Sequence, residues 1–106
     1  MLNISKDHSH QTVITTFEVT PATCQELLDE LASACTDVIS NQPGFIGSAI
    51  HVNDARTRIA NYSQWRARED FQAMLRSDEM IIRNQRINEL SKSFAPVMYD
   101  VVTSYS

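Results

Sequence analysis

Residues 45–65 read FIGSAIHVNDARTRIANYSQW, two apolar runs on either side of a polar turn. The turn Asn41-Gln-Pro-Gly44 precedes the first run, and Asn53-Asp54 separates it from the second. This pattern predicts an antiparallel hairpin with strands at 45–52 and 58–65. The rest of the fold is built outward from this hairpin.

A strand and a helix are predicted before the hairpin. Residues 12–19 alternate between two faces and are rich in β-branched residues, as expected of a first strand. Thr20-Pro21 is a helix start, since proline is favoured at the first helical position. We expect the helix to run to about Ser40. Its apolar stripe recurs at three- and four-residue spacing, at Cys24, Leu27, Leu28, Leu31, Cys35, Val38 and Ile39.

Two helices and a last strand are predicted after the hairpin. The helices are expected at 66–75 and 79–90, with Ser77 or Asp78 as the cap of the second. Pro96 is expected to end the helical region, and residues 97–105 alternate as a last strand. The order of elements predicts an α+β, ferredoxin-like split βαβ fold, with a four-stranded antiparallel sheet and the helices on one face.

The second face of such a sheet receives no helices. We expect it to carry apolar side chains on every strand, namely Ile14, Ile46, Ile50, Tyr62 and Met98. That much exposed apolar surface is unusual for a monomer, so a homodimer that packs sheet against sheet is expected.

The composition excludes several classes of function. The 106 residues carry 9 basic and 13 acidic side chains, a net charge of −4, whereas nucleic-acid and anionic-membrane surfaces need a basic excess. The two glycines have no phosphate-loop spacing. We expect one domain over 1–106, with 1–11 as a flexible N-terminal segment and no metal site at His8 and His10. The sequence shows no signal peptide or membrane span, so a cytoplasmic protein is expected.

The third predicted strand carries the most informative side chains. A period of two places Asn61, Ser63 and Trp65 on the same face. If this face meets the helices, an amide and an indole lie in an apolar space, where the amide could hold a ligand oxygen. The alternative is that Asn61 is a satisfied buried amide and Trp65 a core anchor.

Over residues 12–104 the chain resembles the antibiotic biosynthesis monooxygenase domains of the dimeric α/β barrel superfamily. The resemblance lies in the turn at 42–45, in the run from Asn61 to Trp65, and in Phe71 in the helix beyond. It implies a cofactor-independent monooxygenase that uses O₂ to oxidise an electron-rich aromatic molecule, such as an anthrone or quinol, to a quinone. It also implies that Asn61 and Trp65 are catalytic, with the indole N–H as a second donor beside the amide.

Further residues are expected around the substrate. The predicted substrate-binding set is Phe17, His51, Phe71, Met74, Met80, Asn84 and Ile87. Some members of the family carry a tyrosine where this chain has Phe71, so His51 or Tyr62 could replace it in proton transfer. Arg83 or Arg86 could also reach an anionic substrate, or form surface salt bridges.

Three other functions stay open on the sequence. Haem degradation, found in the same superfamily, would place the amide of Asn84 where an iron-binding histidine is expected, and an amide is a poor ligand for haem iron. The others are an oxygen-independent isomerase or degradation enzyme for a small carbonyl compound, and a dimer that binds a small molecule without catalysis.

Overall fold

The computed structural model describes residue 4 and residues 10–105. The chain forms strand β1 (Gln11–Glu18), helix α1 (Pro21–Asp37), a short 3₁₀ helix (Ile39–Asn41), strands β2 (Phe45–Val52) and β3 (Arg58–Trp65), helices α2 (Arg68–Arg76) and α3 (Asp78–Leu90), and strand β4 (Ser93–Tyr99). The four strands form one sheet in the order β2-β3-β1-β4, and every pairing is antiparallel. The predicted ferredoxin-like α+β fold is confirmed.

The core lies between the helices and one face of the sheet. Val13 and Phe17 of β1 and Ile59 and Trp65 of β3 are buried there with apolar side chains of all three helices. These strand residues alternate as a period of two requires. The sequence therefore places Asn61 and Ser63, which lie between Ile59 and Trp65 at the same spacing, on the face that meets the helices.

The helix boundaries follow from local signals. Pro21 is the first residue of α1, after an extended Thr20. The helix ends at Asp37, earlier than predicted, because the backbone leaves the helical region at Val38. Val38 and Ile39 are nevertheless buried, so the apolar stripe continues beyond the helix. The Ser77 Oγ accepts a hydrogen bond from the Met80 amide at 3.3 Å and caps α3, as predicted.

The last strand lies earlier than predicted. It covers Ser93–Tyr99 instead of 97–105, and Pro96 lies inside it, opposite Thr15. A proline is tolerated here because β4 is an edge strand that pairs only with β1, so the missing N–H interrupts no second ladder. Residues 100–105 continue without regular structure.

The structure describes only part of the predicted flexible segment at 1–11. Residues 1–3 and 5–9, including His8, lie outside the described residues. His10 is exposed, and Gln11 belongs to β1 rather than to a flexible segment. None of the helices among the described residues is both long and apolar enough to cross a membrane.

Two of the five side chains expected on the second sheet face lie on the core face instead. The ladder between β2 and β3 is irregular between Phe45 and Gly47, which shifts the alternation of β2 by one residue. Ile50 therefore points inward and packs against the core. Met98 also packs there, because it pairs with the buried Val13.

The second face keeps an apolar character all the same. Ile14 and Tyr62 are cross-strand partners on this face, and Val97 pairs with Ile14 from the other side. Val97 and Tyr99 are 42% and 48% exposed in the single chain. The homodimer remains a prediction.

Candidate active site

A cavity of about 50 Å³ lies between the sheet and the helices. Its apolar lining comes from Phe17, Leu31, Ile39, Trp65, Phe71, Met74, Leu75, Met80, Ile87, Phe94 and Pro96. Its polar lining comes from Thr15, Ser48, Asn61, Ser63 and Asn84. Among the described residues, every lining side chain is uncharged, and none is an acid or base that titrates near neutral pH. The cavity is thus an apolar space with hydroxyl and amide groups set into its walls.

The structure brings most of the predicted site residues together. Those that line the cavity are Phe17, Asn61, Trp65, Phe71, Met74, Met80, Asn84 and Ile87. They come from β1, β3, α2 and α3, so the cavity exists only when the helices are packed on the sheet.

His51 is the exception, and its predicted place in the substrate site is corrected. It pairs with Ala60, which lies between the core residue Ile59 and the cavity residue Asn61 and therefore points to the opposite face. The irregularity at the start of β2 causes this, since it reverses the alternation along the strand. Tyr62 also lies on the opposite face. Neither of the two expected substitutes for a tyrosine at Phe71 reaches the cavity.

Asn61 has an unusual hydrogen-bonding state. It lies in the middle of β3, opposite Thr15 of β1 and Ile50 of β2. Its Oδ1 is buried and has no hydrogen-bond partner in the described part of the chain. A buried acceptor left unpaired costs about 1–3 kcal/mol, so such groups are rare unless a ligand uses them. The alternative of a satisfied buried amide does not describe this oxygen.

Trp65 is completely buried and forms one wall of the cavity. Its ring makes edge contacts with Phe45 and Phe71, at centroid distances of 5.3 and 5.8 Å. Its Nε1–H donates to the Ser63 Oγ at 3.3 Å. In this structure the indole N–H thus bonds within the protein, and its role as a second donor to the substrate stays a prediction.

The sequence pattern predicts Ser63 on this face but indicates no role for it. It is buried, and its hydroxyl donates to the Val13 carbonyl at 3.3 Å while it accepts from the indole. The spacing of two residues between Ser63 and Trp65 in one strand is the signal that could have suggested this contact.

The two arginines of α3 point away from the cavity. Arg83 forms ion pairs with Glu30 at 3.2 Å and Asp37 at 3.1 Å on α1. Arg86 forms ion pairs with Glu26 and with Glu89. The salt-bridge alternative is therefore correct for both, and neither guanidinium lines the cavity.

Cys35 lies beside the cavity wall, in contact with the lining residue Ser48. The Ser48 Oγ donates to its Sγ at 4.0 Å. Burial raises the pKa of the Cys35 thiol, and the hydrogen bond from Ser48 offsets this in part. Within the part of the chain that the structure describes, no group of three or more histidine, cysteine or acidic side chains is arranged to hold a metal ion.

The chain is similar to known monooxygenases in sequence. The sequence profile of the family described as antibiotic biosynthesis monooxygenase matches residues 11–81 of the 106. Tetracenomycin-F1 monooxygenase of Streptomyces glaucescens is 35% identical over 74 residues, which are 70% of this chain. The matched region is 66% of that protein, so this chain spans just under two thirds of the relative's length.

Solved structures share the fold. SnoaB, a cofactor-independent oxygenase from Streptomyces nogalater, superposes with a TM-score of 0.79 at 17% identity, over 90% of this chain and 95% of that one. The ActVA-Orf6 monooxygenase of Streptomyces coelicolor, crystallised with nanaomycin D, gives a TM-score of 0.77 at 20% identity, over 91% and 90% of the two chains. The profile match covers more than half of the chain and includes both Asn61 and Trp65. The chain belongs to the antibiotic biosynthesis monooxygenase family.

Proposed function

We propose that the protein is a monooxygenase that oxidises an electron-rich, hydroxyl-bearing aromatic molecule to a quinone without a cofactor. The observation that carries the proposal is the buried, unpartnered Oδ1 of Asn61 in an uncharged cavity. The kinship with tetracenomycin-F1 monooxygenase and the fold shared with a cofactor-independent oxygenase support it.

The cavity chemistry selects a class of substrate. A compact anion such as a carboxylate or phosphate is disfavoured, because no lining side chain carries a compensating charge. Flat ring systems suit the aromatic walls formed by Trp65, Phe71 and Phe17. The Asn61 amide offers an acceptor and two donors, so it can accept from a phenolic hydroxyl while its N–H groups face a neighbouring oxygen. A hydroxyanthrone has both groups.

The cavity must widen to admit such a molecule. Its volume of about 50 Å³ compares with the roughly 10–15 Å³ that a cavity needs to hold one water molecule. Dioxygen fits this space, whereas a three-ring substrate requires lining side chains to move. Met74 and Met80 are suited to this, because methionine is unbranched and adopts many shapes at low cost. We expect substrate entry to rearrange these two residues on α2 and α3.

The proposed reaction balances without an external electron donor. The acidic C–H of the anthrone loses its proton, and the resulting anion transfers one electron to O₂. The substrate radical and superoxide combine and take up a proton to form a hydroperoxide, which loses water to leave the quinone carbonyl. One O₂ is consumed, one oxygen atom enters the product, and the other leaves as water. Both electrons that this oxygen receives come from the substrate.

The protein contributes binding, orientation and exclusion of water. Asn61 stabilises the anion and the hydroperoxide by fixed hydrogen bonds, and the buried walls keep solvent from the radicals. None of the described residues that line the cavity can act as a base near neutral pH. We therefore expect the substrate to lose its proton to solvent as it enters, before the walls exclude water, and the ease of reaction to depend on the acidity of the substrate. An anion delocalised over three rings is better tolerated in an apolar space than a compact one.

The test is oxygen uptake and quinone absorbance with the hydroxyanthrone dithranol, in the presence of a metal chelator. We expect uptake well above autoxidation for the wild type and loss of most of this excess in Asn61→Ala and Trp65→Phe. Asn53→Ala is the matched control, because Asn53 is an exposed amide in the β2–β3 turn. Uptake at the autoxidation rate in the wild type would contradict the proposal. Turnover without oxygen would indicate an isomerase, and a ligand-dependent rise in melting temperature without product would indicate a binding protein.

We further propose that the protein acts as a homodimer joined through the second sheet face. Support comes from the apolar side chains of that face, including Ile14, Tyr62 and the exposed Val97. Light scattering coupled to gel filtration should give twice the mass of 12.0 kDa, and Val97→Glu should shift the protein toward monomer. A monomeric wild type would contradict this proposal without affecting the proposed chemistry.

A further inference from the structure

Ser63 forms hydrogen bonds both to the backbone of β1 and to the indole of Trp65, which forms one wall of the cavity. Its hydroxyl proton is donated to the Val13 carbonyl of β1, at 3.3 Å. Its oxygen accepts the Trp65 Nε1–H, also at 3.3 Å. Donating to Val13 fixes the rotation of the hydroxyl and directs a lone pair toward the indole. The two bonds form a chain from the indole to the sheet backbone.

This chain determines the orientation of the Trp65 ring. Phe45 and Phe71 hold the ring by edge contacts, which are apolar and can be satisfied by more than one ring orientation. The hydrogen bond to Ser63 can be made by Nε1 alone, so it selects one of these orientations. Ser63 is buried, so bulk water has little access to the bond.

We propose that Ser63 is a positioning residue for the proposed oxygenase reaction, on which this inference rests. It orients the Trp65 wall and withholds the indole N–H from the ligand. The Asn61 Oδ1 is then left as the buried acceptor that the substrate meets. A substrate bound between these groups has one polar anchor and one aromatic wall of fixed direction.

Loss of the Ser63 hydroxyl should affect the reaction step more than substrate binding. In Ser63→Ala the apolar walls remain, so substrate affinity is largely kept. The indole N–H loses its acceptor and turns toward the cavity, where it competes for the oxygen atoms that Asn61 should bind. Since small errors in orientation reduce rates strongly, we expect kcat to fall on the order of tenfold with KM changed by less than about twofold.

The chain contains a single tryptophan, so the orientation has a direct spectroscopic signature. In a ¹⁵N-labelled sample of the full chain, the one indole N–H cross-peak reports the bond to Ser63. We expect Ser63→Ala and Ser63→Cys to move its proton resonance upfield and to speed its exchange with D₂O, because the thiol is a weak acceptor. Ser63→Thr keeps the hydroxyl and should restore both signals and kcat.

Ser91→Ala is the matched control. Like Ser63, Ser91 donates its hydroxyl to a backbone carbonyl, that of Ile87 at 2.9 Å, but it is not among the residues that line the cavity. An indole signal unchanged in Ser63→Ala, or a folded Ser63→Thr without rescue, would overturn the proposal. So would a loss of kcat in Ser91→Ala equal to that in Ser63→Ala. If the wild type consumes no oxygen, the proposed function fails, and the indole signal still decides whether Ser63 holds the ring.

Discussion

Replacing Asn61 by leucine should stabilise the protein while it abolishes oxygen uptake. The Asn61 Oδ1 is buried without a partner, and an unsatisfied acceptor of this kind costs about 1–3 kcal/mol. Leucine branches at the same carbon as asparagine, and its methyl groups would lie among apolar side chains beside a cavity of about 50 Å³. We expect a gain of about 1 kcal/mol in the free energy of unfolding, because slight crowding offsets part of the relief. For a chain of this size that raises Tm by roughly 4–8 °C.

The assay is urea denaturation followed by the fluorescence of Trp65, the single tryptophan, together with a thermal scan. The matched control is Asn53→Leu in the β2–β3 turn. The Asn53 amide donates to Thr57 Oγ1 at 2.9 Å and accepts from the backbone N–H groups of Thr57 and Arg58, both at 2.9 Å. Removing these bonds should lower the free energy of unfolding by about 1–2 kcal/mol. Asn61→Leu should therefore raise the free energy of unfolding, whereas Asn53→Leu should lower it.

A fall in the free energy of unfolding in Asn61→Leu as large as that in the control would contradict this prediction. That result would mean that Oδ1 is satisfied within the folded protein and is not held open for a ligand. A variant that is more stable and still consumes oxygen at the wild-type rate would refute the functional half alone. Higher stability together with lost activity is the pattern expected where a site retains a strained or unsatisfied group for function.

The remaining predictions concern the ion pairs, the buried thiol and the pH profile. Arg83→Met should lower the free energy of unfolding by about 1 kcal/mol in urea titrations, because Arg83 pairs with Glu30 and Asp37. The difference from the wild type should shrink in concentrated salt, which screens the ion pairs. An unchanged urea midpoint would contradict a stabilising role for these pairs. The pKa of the Cys35 thiol is raised in the folded state, so the unfolded chain loses this proton at a lower pH than the folded chain does. The protonated thiol therefore makes its full contribution to the free energy of unfolding below the usual thiol pKa, and this contribution is lost as pH rises through the raised value. Urea midpoints should accordingly fall less steeply with alkaline pH in Cys35→Ala than in the wild type, and parallel curves would contradict this. Since none of the described residues that line the cavity is a base, the dependence of kcat/KM on pH should follow the acidity of the substrate. Two hydroxyanthrones of different acidity should give pH profiles that are displaced by the difference between their own pKa values. Coincident pH profiles would indicate a titrating group of the protein.

The hairpin and its neighbours could be predicted from the sequence because they depend on local pattern. The bounds of β2 and β3 match the prediction, since turn residues flank two apolar runs. The shared face of Asn61 and Trp65 follows from the period of two alone, and both line the cavity. The apolar stripe of α1 and the cap at Ser77 likewise need only nearest neighbours along the chain.

The tertiary structure decided which side of the sheet each of the other residues occupies and which polar groups find partners. The irregularity between Phe45 and Gly47 turns His51 outward. An isolated glycine within a strand, here Gly47, often marks a bulge, but the shift in register is decided by the pairing with β3. Pro96 can lie within β4 because β4 is an edge strand, and its place at the edge depends on the order of the strands in the sheet. The bond from Trp65 to Ser63 and the unpaired oxygen of Asn61 depend on distances across packed layers. Local periodicity thus determined the elements, whereas register and packing, which join residues far apart in the chain, determined the site.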